Sequence, residues 1–186
     1  MRLLVLLLLA AIGVRAGSWL DKQKPDNWNT AEMTVPKAPK MANPEMASRC
    51  DETLRPATLA TDKILEAAGW RLFGAAQVFG DITVVRALAG YDGMCRPGNY
   101  QGFVFYKGRL AGTMSPRLMD ARTDASLGTV WVMGPTQMHA EFVRYSEKDP
   151  LCCPSATTDV SYELDVKGSA PLLVPVYAST NKKSAP

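Results

Sequence analysis

Asp159-Val160-Ser161-Tyr162-Glu163-Leu164-Asp165-Val166 alternates polar and apolar residues without a break. Side chains on a strand point to opposite faces in turn. Val160, Tyr162, Leu164 and Val166 therefore enter a core while Asp159, Ser161, Glu163 and Asp165 meet water. A strand of this kind belongs to an antiparallel sheet with one solvated face. Downstream, Gly168 to Pro171 turns the chain and Leu172 to Tyr177 returns as a last strand. Pro175 lacks an amide proton to give to a ladder, which predicts a sheet edge there.

Working upstream, the same reading repeats. Thr129–Met133 and Met138–Tyr145 flank the turn residues Gly134-Pro135-Thr136-Gln137. Gly102–Tyr106 and Arg109–Thr113 flank Lys107-Gly108, an x-Gly pair between apolar runs that predicts a tight hairpin. Ile82–Leu88 is rich in β-branched residues and ends at the turn cluster Gly90-Tyr91-Asp92-Gly93. Ser115 to Leu127 is a polar connection. One helix is expected over 62–68, with Thr61 as N-cap, Asp62 in the first turn and Gly69 just past the end. Ile64, Leu65 and Ala68 share its apolar face. No internal repeat and no βαβ rhythm is present. The expected fold is α+β: a mostly antiparallel sheet of six or seven strands built from hairpins, with one short N-terminal helix over a face or an end.

The four cysteines are Cys50, Cys95, Cys152 and Cys153. The last two are adjacent, between Pro150 and Pro154. On extended backbone, neighbouring thiols diverge and fit disulfide geometry poorly, so each is expected to seek a distant partner. Setting the vicinal pairing aside leaves two connectivities, Cys50–Cys152 with Cys95–Cys153 or the reverse. Two disulfides are expected in either case.

The N-terminus supplies the compartment. Met1-Arg2 precedes the apolar run Leu3–Val14, and Val14-Arg15-Ala16 is a small-x-small exit. These are the parts of a secretory signal peptide, and the run falls short of the ~20 residues of a membrane span. Cleavage after Ala16 would leave no transmembrane span. It would also remove Arg2 and Arg15 and lower the formal charge from +3 to +1. So small a charge excludes the electrostatic footprint of a nucleic-acid binder. Residues 17–49 scatter Pro25, Pro36, Pro39 and Pro44 among polar residues and read as a flexible tether. The single domain is expected over 50–177, with a disordered tail over 178–186.

Three stretches in order carry a family resemblance: Phe105-Tyr106-Lys107-Gly108-Arg109-Leu110-Ala111-Gly112-Thr113, then Asp120-Ala121-Arg122-Thr123-Asp124, then Asp149-Pro150-Leu151-Cys152-Cys153-Pro154-Ser155 leading into a strand. Between about Ala57 and Asp165 the chain resembles the LppP/LprE lipoprotein family of bacterial envelope proteins. The resemblance implies an exported protein of unknown function in the cell envelope, and it carries no catalytic residue to transfer. Unlike the family's name, the chain shows no lipoprotein cysteine after its signal.

Candidate chemistry is sparse. His139 is the only histidine and lies in a strand-like run, where a solvent-facing role is expected. No G-x-S-x-G elbow surrounds a serine, and no glycine-rich loop precedes a helix. Cys152-Cys153 lacks C-x-x-C spacing. Met114, Met119, Met133 and Met138 offer thioethers, whose common use is core filling rather than Cu(I) binding. Asp120, Arg122 and Asp124, two carboxylates around an arginine on one loop, form the candidate ligand loop. No cofactor and no metal is expected. The reading is a non-enzymatic envelope module that binds an unknown envelope protein or small ligand. The alternative is a small exported hydrolase or inhibitor-like module.

Overall fold

A computed structural model describes residues 17–182. The expected signal segment, 1–16, and the last part of the expected tail, 183–186, lie outside the described residues. The elements are α1 (Glu45–Arg49), α2 (Ala60–Ala67), β1 (Arg71–Leu72), β2 (Gln77–Phe79), β3 (Ile82–Leu88), β4 (Gly90–Tyr91), β5 (Pro97–Gly98), β6 (Gln101–Tyr106), β7 (Arg109–Thr113), β8 (Ser126–Val132), β9 (Gln137–Arg144), β10 (Ala156–Asp165) and β11 (Leu172–Lys182). Every pairing is antiparallel. No helix among the described residues is long and apolar enough to cross a membrane.

The strands form two main sheets rather than one sheet of six or seven. The first is five-stranded: β1 and β2 share one side of β3, and β6 and β7 follow on the other. The second is a four-stranded meander in the order β11-β10-β9-β8, and β4 and β5 make a separate ribbon. The division falls at the polar connection 115–125. Beyond it the chain starts a new meander, and that sheet's apolar face needs a cover of its own. The two sheets supply covers to each other. Ile82, Val84, Val104 and Met114 pack with Val130, Met138, Phe142, Val160, Tyr162 and Leu173 in one buried cluster. The opposite face of the first sheet buries Val85, Phe103 and Phe105 against Leu65 of α2 and Trp70. The protein is thus a sandwich with a helix outside its first sheet.

Local chemistry explains the turns. Lys107 and Gly108 have φ of 49° and 76°, the pair of positive values that a two-residue hairpin with sheet-compatible twist requires. Tyr106 and Arg109 pair on either side. Helix α2 starts two residues earlier than expected, and Leu59 rather than Thr61 is its N-cap. The Asp62 carboxylate accepts the Thr58 and Leu59 amides, so an acid three residues inside the helix satisfies the exposed donors. At the other end Gly69, φ 89°, lets its own amide reach Glu66 O and the Trp70 amide reach Leu65 O. Pro175 does stand on an edge strand, β11.

Several residues of 17–49, the expected tether, are anchored on the sandwich, although most of the segment is exposed. Leu20 and Asn29 are buried, and Trp19 and Trp28 pack on the inter-sheet core. The Trp19 ring meets Trp28 and Phe142 edge-on, with centroids 4.9 and 5.1 Å away. Trp28 Nε1 donates to Thr113 O at 3.0 Å. Farther along, Trp70 Nε1 donates to Pro36 O, and the Ala38 amide to Ala68 O. A few aromatics and backbone bonds anchor a segment whose overall composition is polar, so a composition average misses it. The tail expectation changes in the same way: β11 runs on to Lys182 because residues 178–182 pair with 156–160 of β10.

The disulfide expectation is corrected too. Cys50 bonds Cys95, with Cα atoms 5.2 Å apart, and Cys152 faces its neighbour Cys153. The reason lies in the backbone around the pair. The Cys153 amide donates to Pro150 O, which bends residues 150–153 into a turn instead of the extended run the prolines implied.

Candidate functional site

A concavity lined mainly by polar residues lies where β9 ends and β10 begins. It is a cleft of about 650 Å³ lined by Asp21, Asp124, Arg144, Tyr145, Ser146, Ser155, Ala156, Thr180 and Lys182. Its centre is Arg144, the last residue of β9. Arg144 Nε donates to Asp124 Oδ1 at 2.8 Å, one terminal nitrogen to Asp21 Oδ1 at 2.7 Å and the other to Thr158 Oγ1 at 3.2 Å. Burial works against the guanidinium's charge. The bonds to Asp21 and Asp124 outweigh that and hold its pKa above the ordinary value.

Three separate parts of the chain meet at this arginine. Asp21 comes from the N-terminal segment, as the last residue of the Ser18-capped turn Trp19–Asp21. Asp124 comes from the connection between the two sheets, and its carboxylate also accepts the Tyr145 amide at 3.1 Å. Ala125 follows with φ 66° and donates its amide to Val143 O, which aims Asp124 at the end of β9. Thr180 of β11 bonds Thr158 of β10 at 2.7 Å through their hydroxyls.

The rim beside the cleft is the loop 146–155, which Asp149 organises. Its carboxylate accepts the Ser146 hydroxyl at 2.6 Å, the Ser146 amide at 2.9 Å and the Ser155 amide at 2.8 Å. The Ser146 bonds are the larger cause holding the Asp149 carboxyl well below the usual carboxylate range. Tyr145 Oη donates to Leu151 O at 3.0 Å and ties the loop's tip back to its base.

Of the expected ligand loop of Asp120, Arg122 and Asp124, only Asp124 lines this cleft. Asp120 and Asp124 together line a neighbouring cavity of about 260 Å³. Asp120 accepts the Asn99 amide at 2.8 Å and also lines a smaller cavity of about 130 Å³ with Tyr91 and Asp92. Arg122 is exposed on left-handed backbone, φ 60°, and lines none of these. The arginine that Asp124 engages is Arg144, at the end of a strand, where nothing in the sequence distinguishes it from an ordinary solvent-facing residue. Asp21 was hidden in the supposed tether.

His139 lies on the outer face of the second sheet, between Trp131 and Ser161 in register, with Nδ1 3.4 Å from Ser161 Oγ. Met114, Met119 and Met138 are buried in the core, and Met133 is exposed.

No curated protein and no solved structure matches the chain. A family model does match, and it covers the Lys107-Gly108 hairpin, the Asp124 connection, Arg144 and the cysteine loop; α2 and everything before it fall outside. From Ile82 at the start of β3 to Val166 just past β10, residues 82–166, the chain is matched by the LppP/LprE lipoprotein family.

Proposed function

We propose that the protein is an exported bacterial envelope module that binds a neutral, hydroxyl-rich ligand, a saccharide unit, in the Arg144 cleft, without chemical turnover. The match to a lipoprotein family supports the envelope setting. The observation that carries the ligand class is the balance of charge in the cleft: Arg144 and Lys182 face Asp21 and Asp124, so the lining has no net charge. Tyr145, Ser146, Ser155 and Thr180 add hydroxyls, which donate and accept and so suit a polyol. The volume is of the size that holds a small ligand. Both carboxylates are committed to the same arginine, which favours a binding role over acid–base work.

The test is a backbone-amide NMR titration of the full chain with neutral N-acetylhexosamine oligomers and neutral glucan oligomers, and with an anionic hexuronate oligomer for contrast. Neutral oligomers are expected to move the Tyr145, Ser155 and Thr180 amides, and a Ser155→Ala/Thr180→Ala variant to weaken that response. Perturbation confined to other surfaces, or preference for the hexuronate, overturns the reading.

A further inference from the structure

The Cys152–Cys153 pair stands outside the reading above and outside the architecture that holds the fold. A disulfide stabilises chiefly by restricting the unfolded chain, and the restriction grows with the loop it closes. Cys50–Cys95 spans 45 residues, and Cys50 is 1% exposed in the core. Cys152–Cys153 spans one residue and restricts almost nothing. Both of its residues are exposed, at the tip of the β9–β10 loop beside the exposed Leu151. The loop does not need the bond for its shape either. Asp149, the Tyr145–Leu151 hydrogen bond and the Cys153–Pro150 turn define it through groups other than sulfur.

We infer that Cys152–Cys153 is a thiol–disulfide exchange site that takes low-molecular-weight or protein thiols. A thiolate R–S⁻ attacks one of the two sulfurs. A new R–S–S–Cys bond forms, the Cys152–Cys153 bond breaks, and the other cysteine leaves as a thiolate that then takes a proton. A second R–S⁻ attacks the mixed disulfide at the R sulfur, releases R–S–S–R and leaves the reduced pair. Two electrons pass from two thiols to the protein. Access is one control on the rate of such attack, and here both cysteines are exposed while the other bridge has one end buried in the core. Because the frame of the loop is hydrogen-bonded, the pair can cycle while the sandwich stays intact.

The experiment places the oxidised full chain in a graded glutathione series, quenches with an alkylating agent and maps cysteines by mass spectrometry. Cys152 and Cys153 are expected to become alkylated or glutathionylated at a reductant concentration at least ~10-fold lower than Cys50 and Cys95. Circular dichroism is expected to stay unchanged at that point. In Cys152→Ser, Cys153 is expected to retain a glutathione adduct while the thermal midpoint stays at the wild-type value. Opening of Cys50–Cys95 first or together with the vicinal pair overturns the inference. So does absence of any adduct on Cys153 in that variant, or loss of its fold, which would make the pair a structural bond.

Discussion

Asn29 occupies the space that a side chain on residue 112 would need: a Cβ on Gly112 would lie 2.5 Å from Asn29 Cγ. The close approach lets one amide group serve two sheet edges. Asn29 Oδ1 accepts the Thr113 amide at 2.8 Å, and Nδ2 donates to Thr113 O at 3.1 Å and to Leu173 O at 3.0 Å. Thr113 ends β7 and Leu173 lies in β11, the edge strands of the two sheets. Asn29 therefore clasps the open side of the sandwich with the same side chain that docks the N-terminal segment.

Asn29→Ala should cost on the order of 3 kcal/mol, since it leaves buried backbone groups on both edges without partners. Gly112→Ala should also destabilise, by expelling the Asn29 side chain. Because the two residues act through one contact, the double variant should cost clearly less than the sum of the singles. Denaturant unfolding measures all three. Limited proteolysis should show residues 17–32 released first in either single variant; release at the wild-type rate would refute the clasp.

The Cys50–Cys95 bond joins the segment before α2 to the loop between β4 and β5. With its ends 45 positions apart in the sequence, the chain-entropy relation gives about 4 kcal/mol. Cys95→Ala should lose an amount of that order in equilibrium unfolding. Cys153→Ala should lose less than about 1 kcal/mol. Equal losses in the two variants would count against assigning the structural role to the long bridge alone.

The strands were legible in the sequence because their signal is local. Residues 159–166 alternate, Lys107-Gly108 has turn chemistry, and Ile82–Leu88 is recovered residue for residue as β3. The sheet count was not legible. Hairpin rules pair neighbours in sequence, whereas the split into two sheets is decided by which apolar faces cover each other across the polar connection. The cleft was half legible for a related reason. Asp124 announces itself on a charged loop, but its partners Arg144 and Asp21 are 20 and 103 residues away in the chain and are joined only by the fold. The cysteine pairing failed where a turn replaced an extended segment, because the geometric objection to a vicinal bond presumes a strand.

The buried ion pair at α2 gives an acid-side prediction. Arg55 makes a two-pronged contact with Asp62, both bonds 2.7 Å, and the Asp62 carboxylate is fully buried. Burial alone would raise its pKa; the Arg55 bonds and then the Leu59 and Thr58 amides more than reverse this, and the net shift is downward. A depressed folded pKa means the contribution is complete above the unfolded value, about 4, and is lost as pH falls through the folded one. Wild-type stability should therefore drop below about pH 4. Asp62→Asn should be less stable at pH 7 by about 3 kcal/mol and should show a shallower acid slope. An unchanged slope in Asp62→Asn would assign acid sensitivity to other carboxylates.

Tyr162 tests the seam between the sheets. It lies in β10, 1% exposed, and its hydroxyl donates to Met114 O at 2.5 Å, immediately after β7. Tyr162→Phe keeps the ring and strands that carbonyl, so the expected cost is about 1–2 kcal/mol. Tyr162→Leu also opens space beneath Trp28, whose ring centroid is 6.5 Å away, and should cost about 3–5 kcal/mol. The difference between the two variants separates packing from the hydrogen bond. Alkaline titration adds an independent check. Burial raises the Tyr162 pKa well above its ordinary value, so its contribution is complete below the unfolded value of about 10 and is lost as pH rises beyond it. Tyr100 acts in the same sense, pushed up to about 12 chiefly by burial. Wild-type stability should fall above about pH 10, and Tyr162→Phe should flatten that fall without abolishing it, because Tyr100 remains. Identical alkaline profiles for the two proteins would mean that Tyr162 ionises freely and that the seam is open to water.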